Sequence, residues 1–182
     1  MPSPPGHAPV GPAQPRWTET LRDRRQVLIR PIERQDADAE REFIRALSPE
    51  SRRARFLYQM NAPSQALIDS LTDIDQVDDV AFVAVVRDDS RDRIVGACRY
   101  AVGPDPNQCE VAVVVLDDWQ EQGLGTAMMR HLIEVARERG IKRMQSLDSA
   151  ENLEMRDLAR YLGFHTRQAP DEPGLVLHTL TL

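Results

Sequence analysis

The run from Glu110 to Gly125 reads Glu-Val-Ala-Val-Val-Val-Leu-Asp-Asp-Trp-Gln-Glu-Gln-Gly-Leu-Gly, and it constrains the fold more than any other part of the chain. Val111 to Leu116 is unbroken, apolar and mostly β-branched, the composition of a strand covered on both faces. Gln120 to Gly125 supply a turn. From Thr126 the pattern changes to Ala127, Met128, His131, Leu132, Val135 and Ala136, steps of three and four that describe a helix stripe ending near Gly140. The amides of that helix's first turn lack acceptors within the helix. Gly123 and Gly125 let a ligand approach the backbone closely, and the helix dipole favours negative charge there, so a phosphate or pyrophosphate is the expected occupant.

A chain of 182 residues that is 41% hydrophobic can bury one good core. The expected organisation is a disordered Pro-rich tail over 1–22 and one domain over 23–182. The tail has prolines at 2, 4, 5, 9, 12 and 15, with no charged start before an apolar core, so it reads as neither signal peptide nor membrane anchor. A formal charge of -6 and a pI near 5.3 argue against a nucleic-acid partner, which calls for a clustered basic face. Arg52, Arg53 and Arg55 read as a solvated helix face. Cys98 and Cys109 lack CxxC spacing and lie in strand-like runs, which fits buried reduced thiols in a cytoplasmic protein. The four histidines are scattered, so no metal site is expected; His131 reads as a packed or surface residue rather than a ligand.

Along the chain, Gln26 to Arg30 reads as a strand stopped by Pro31, and Asp36 to Leu47 as a helix with Phe43, Ile44 and Leu47 facing inward. Pro49 suits the first position of a short helix through Ser51 to Met60, followed by a helix over Ser64 to Leu71 and an acidic loop from Asp73 to Asp79. Val80 to Arg87 and Arg93 to Val102 read as an antiparallel hairpin, and the Glu110 strand completes a meander. The helix after Gly125 crosses to a strand at Ile141 to Leu147, which implies a parallel pair. Glu151 to Leu162 reads as a helix ending at Gly163, and Phe164 to Arg167 with Leu175 to Leu182 as a closing hairpin. The expected fold class is mixed α/β: a mostly antiparallel central sheet with helices on both faces and one parallel strand pair.

The glycine turn lacks the Lys and Ser/Thr of a P-loop, and Met128 stands where a dinucleotide fingerprint has Gly or Ala. Gln120-Glu-Gln-Gly123-Leu-Gly125 instead matches the Arg/Gln-x-x-Gly-x-Gly/Ala pyrophosphate motif of the GNAT superfamily of N-acetyltransferases, and Asn152 with Gly163-Phe164 matches its later helix signature. The chain resembles that superfamily from about Val27 to Leu182. Ile29-Arg-Pro-Ile, Leu47-Ser-Pro-Glu-Ser-Arg, Arg55-Phe56 and Glu110-Val-Ala-Val-Val-Val are similar to the acetyltransferase domain of bacterial protein lysine acetyltransferases. Those enzymes fuse the domain to an acyl-CoA synthetase-like region, which is not expected in a chain of this length.

The resemblance implies acetyl-CoA as co-substrate and a splayed parallel strand pair that holds it. Gln122, Gly123, Leu124, Gly125 and Thr126 would offer amides to the pyrophosphate, with Gln120 in the side-chain role that is often Arg. Val115 is the position whose backbone pairs with the pantetheine arm, and the oxyanion donor is a backbone amide at Val113 or Val114. Asn152 matches the pantetheine-side asparagine, and an Asn there is also an ordinary helix cap.

The chemistry needs a base, because a lysine at its reference pKa is neutral at pH 7 only to roughly four parts in ten thousand. Glu110 is the candidate, with a raised pKa expected if it is partly buried between Cys109 and Val111; the alternative is a Glu that merely ends a strand or pairs with an Arg. Many members carry a thiolate-protonating tyrosine seven residues after the asparagine. Here that position is Ala159, while Tyr161 lies roughly 200° further around the helix and is expected to point away. The reading is an acetyl-CoA-dependent N-acetyltransferase acting on a primary amine, a protein lysine or a small amine. The rival is a catalytically idle acyl-CoA-binding sensor or docking module. The apolar pattern isolates no interface from core, so a homodimer and a monomer both stay open.

Overall fold

Among the described residues, short alternating and apolar runs form eight strands, and the helices between them fold back over the sheet. The computed structural model describes residues 15–57 and 60–182. In chain order the elements are β1 (Trp17–Thr20), β2 (Gln26–Pro31), α1 (Ala37–Ala46), α2 (Pro49–Phe56) and α3 (Gln65–Thr72). They continue as β3 (Asp79–Asp88), β4 (Arg91–Val102), β5 (Gln108–Val115), α4 (Leu124–Glu138), β6 (Arg143–Ser149), α5 (Leu153–Tyr161), β7 (His165–Gln168) and β8 (Leu175–Thr181). The sheet order is β1-β2-β3-β4-β5-β6-β8-β7, and every neighbouring pair is antiparallel except β5 with β6. This is the mixed sheet with one parallel pair that the sequence implies. Among the described residues, no helix is long and apolar enough to cross a membrane.

The ordered fold begins before residue 23. Trp17–Thr20 form a strand inside the stretch expected to be tail, paired with β2 from Trp17↔Ile29 to Thr20↔Gln26. Aromatic and β-branched side chains suit a pleated, half-buried surface. Trp17 supplies the anchor: its ring meets Phe82 edge-on at 5.2 Å and stacks on His131 at 4.0 Å. His131 Nε2 also lies 2.6 Å from Glu19 Oε1, so it is a packed residue, as its sequence context indicates. The rest of the expected tail, over residues 1–14, lies outside the described residues.

Helix starts follow their caps. Ser48 Oγ accepts from Ser51 N with Pro49 in the first turn of α2, and Ser64 Oγ accepts from Leu67 N at the start of α3. Helix α2 ends at Phe56, short of the Met60 expected, because Leu57 turns into the left-handed region at φ 61°. The Arg30 guanidinium, on β2, makes two 2.8 Å hydrogen bonds to the Asp36 carboxylate at the start of α1, and both residues are only 6% exposed. This fork fixes the entry angle of α1 onto the sheet.

The two faces of β4 carry different helices. Cys98 Sγ lies 3.7 Å from the Met128 carbonyl of α4, and a Cβ on Gly96 would stand 2.9 Å from Met128 Sδ, so a side chain there would have to displace the Met128 thioether. Ala97 and Arg99, on the other face, line a small cavity with Glu40 and Phe43 of α1 and Phe56 of α2. Cys98 and Cys109 are free and buried, and burial pushes each thiol up to about 12.

Candidate active site

Strands β5 and β6 share three rungs, Gln108↔Arg143, Cys109↔Met144 and Glu110↔Gln145, and then separate while β5 runs on to Val115. The hydrogen bonds Leu116 N to Val95 O and Gly103 N to Gln108 O set the phase of the β4–β5 ladder. Strand backbone groups alternate sides, so Glu110, Ala112 and Val114 direct theirs to β4, while Val111, Val113 and Val115 direct theirs into the widening gap. Of the two amides expected as oxyanion donors, only Val113's faces the gap. The Val114 amide is not the donor expected, because it is spent within the sheet, although the residue still lines a cavity beside β5. Gln120 Nε2 donates to Val115 O at 3.0 Å, which ties the following loop to the end of the strand.

That loop delivers α4. Gly123 is its N-cap at φ +89°, a conformation that a side chain resists, and the helix starts at Leu124, two residues earlier than the apolar stripe suggests. The first intrahelical acceptor is used at Ala127 N to Gly123 O, which leaves the amides of Gly123, Leu124, Gly125 and Thr126 at the helix end. A Cβ on Gly125 would touch Leu158 at 3.6 Å and Val115 at 3.9 Å, so glycine keeps open the crevice between β5, α4 and α5. Here lies a cavity of about 410 Å³. Its walls include Val113, Val114, Val115, Gln120, Gly123 and Leu124, continued by Gly125, Thr126 and Asn152. Gln122 and Glu110 are not among its walls; the Gln122 carbonyl accepts from Arg22 N at 3.1 Å.

Arg22 is a residue the sequence reading missed. It sits in the β1–β2 turn, donates from Nη1 to Glu121 O at 3.4 Å and places its Nε 3.9 Å from the position of a Gly123 Cβ. Its neighbour Arg25 stacks 3.6 Å above the Trp119 ring and donates to Asp118 O. The turn therefore brings a cation to the start of α4. Its signal was Leu21-Arg-Asp-Arg-Arg, a charged turn between two strands, once Trp17 is read as a strand residue.

On the far wall, Asn152 Oδ1 accepts from Met155 N at 3.1 Å and caps α5, while the residue lines the cavity, so the capping and lining readings hold together. Ala159 is fully buried and turned away from the cavity. Tyr161 does not point away as expected: it stands at the cavity wall, its hydroxyl 3.0 Å from Arg130 Nη2 of α4. The 200° offset was right, but it is Ala159 that faces the core.

Glu110 is exposed rather than partly buried, and its side chain emerges on the α1 and α2 face at the last shared rung. A buried carboxylate on that face is Glu40 of α1, 4% exposed, whose Oε2 has no hydrogen-bond partner. Burial raises it to about 7 against the opposing charge of Arg55. Among the described residues, no group of three or more His, Cys, Asp and Glu side chains is arranged to hold a metal.

Residues 41–164 match the family described as the acetyltransferase (GNAT) family. An acetyltransferase of Pseudomonas aeruginosa is 48% identical over 166 residues, covering 91% of this chain and 89% of that protein. The Mycolicibacterium smegmatis acetyltransferase Pat is 29% identical over 110 residues, which cover 60% of this chain and 32% of Pat. Among solved structures, the GNAT domain of S. lividans PAT superposes with a TM-score of 0.84 at 27% identity, covering 92% of this chain and 97% of that one. The chain belongs to the GNAT acetyltransferase family, and it is an N-acetyltransferase.

Proposed function

We propose that the chain transfers an acetyl group from acetyl-CoA to a primary amine, a protein lysine or a small amine, by direct attack in a ternary complex in the cytoplasm. The observation that carries this reading is the open edge of β5, which ends at the free amides of α4. A pyrophosphate suits those amides and Arg22, and the thioester arm suits the edge beside Val113 and Val115, where an extended chain can pair as an added strand. The Val113 amide then lies where the carbonyl oxygen gains charge, and a preorganised donor lowers the barrier most at that atom.

Glu110 is assigned as general base. The amine must lose a proton before or during attack, and a carboxylate on the α1 and α2 face can take it directly or through water. Glu110→Gln keeps the shape and removes the proton acceptor. Turnover should fall about 100-fold while the acetyl-CoA dissociation constant stays near wild type. Turnover unchanged across pH would remove Glu110 from this role. The burial of Ala159 favours a second reading, an idle acyl-CoA-binding module; it is distinguished by binding of acetyl-CoA without thiol release for any amine.

A further inference from the structure

With Ala159 in the core, no tyrosine supplies a proton to the departing thiolate from that position, yet the gap carries another acid. Continuing the β5–β6 register past Glu110↔Gln145 brings Asp148 level with Val113. Parallel partners share a face, so Asp148 lies on the α4 and α5 side with Val113, opposite to Glu110. Both Val113 and Asp148 line the main cavity, and the Asp148 side chain is only 13% exposed. Behind it, the Ser146 hydroxyl donates to Asp148 Oδ2 at 2.5 Å. His178 of β8, 0% exposed, directs a Nε2 with no hydrogen-bond partner toward the same oxygen at 3.7 Å, while its Nδ1 lies 2.7 Å from Thr166 Oγ1 of β7.

We propose that Asp148 is the general acid of this enzyme and that Ser146 and His178 are its positioning residues, which rests on the acetyl-CoA reading above. As the C–S bond breaks, its electron pair goes to sulfur, sulfur takes the carboxyl proton of Asp148, and Asp148 regains a proton from water. The amine nitrogen forms the C–N bond and loses its protons on the other side of the sheet to Glu110, which passes each on to water. For an ammonium substrate the sum is amide, CoA thiol and one proton released. Base and acid thus stand on opposite faces of the β5–β6 gap, and the proton taken from the amine is not returned by the same group.

The surroundings favour the neutral carboxyl. Burial pushes Asp148 up from the ordinary carboxylate range, opposed by the Ser146 hydrogen bond and by the charges of His178 and of Arg55 from α2. Burial lowers His178, opposed by Asp148 and reinforced by Arg156 of α5. Glu154 and Asp157 of α5 line the same cavity and add negative charge.

The test uses the full chain with acetyl-CoA and an amine that wild type acetylates. Asp148→Asn should lower kcat about 100-fold, leave calorimetric acetyl-CoA affinity within about twofold and abolish the alkaline fall of kcat that wild type shows. A kcat within about twofold of wild type, with the same alkaline limb, overturns the assignment. If Asp148→Asn does not bind acetyl-CoA, wild type decides: kcat with no descending alkaline limb overturns the proposal, and a limb shifted in His178→Gln supports it. A wild type that releases no thiol with any amine defeats the acetyltransferase reading itself; active wild type with an equally active Asp148→Asn defeats only the acid.

Discussion

Glu110 and Gln145 form the last rung that β5 and β6 share, and every backbone group of the proposed site lies beyond it. The pairing fixes a carboxylate at the vertex of the gap, and in the proposed reaction the amine enters from its face to meet a thioester on the other.

Gly123 adopts φ +89° at the cap of α4, where an L side chain costs ~1–2 kcal/mol. Gly123→Ala should weaken acetyl-CoA binding about tenfold, as calorimetry would read it, because relief of that strain turns the first-turn amides away. An unchanged dissociation constant would detach the turn from the ligand.

The legible part of the fold was its periodic part. The β3–β4 hairpin, the β5 run and the stripe of α4 announce themselves by spacing, and Asn152 and Gly123 by their place at helix starts. Strand β1 was hidden because Trp17–Thr20 is short and abuts a Pro-rich stretch, and what fixes it is the distant ring of Phe82. Arg22 was lost with it. Glu40 left a signal: it occupies the same α1 stripe as Phe43, Ile44 and Leu47, so a charge stood on the inward face. Which of Ala159 and Tyr161 faces the cavity depends on how α5 docks, which a helical spacing alone does not fix.

Arg22 is exposed, so its contribution at the helix start is screened. Arg22→Ala should weaken acetyl-CoA binding by about threefold to tenfold at low salt, and the difference should shrink at high salt. Equal affinity at both ionic strengths would show that the cation does not meet the ligand.

Glu40 makes stability depend on pH. Its carboxyl moves from the usual 4.5 to about 7 on folding because burial disfavours the charged form. The unfolded chain therefore ionises first, and the folded state loses stability as pH rises from 4.5 toward 7, by up to ~3 kcal/mol. Glu40→Gln should be more stable than wild type at pH 8 and close to it at pH 4, by urea unfolding. A difference that does not change with pH would contradict this.

The Arg30–Asp36 fork is buried at both ends, so removing Asp36 leaves the Arg30 charge with only its longer 3.4 Å contact to Asp92. Asp36→Ala should cost ~3–5 kcal/mol in chemical denaturation, and the double replacement Arg30→Met with Asp36→Leu should lose less. A loss below 1 kcal/mol for the single change would mean that water reaches Arg30.

Amine-dependent release of CoA thiol from acetyl-CoA by the wild-type chain tests the central claim most directly. Thiol should appear in step with N-acetylated product and only when a primary amine is present. Acetyl-CoA that binds calorimetrically but releases no thiol above buffer with any amine would contradict it.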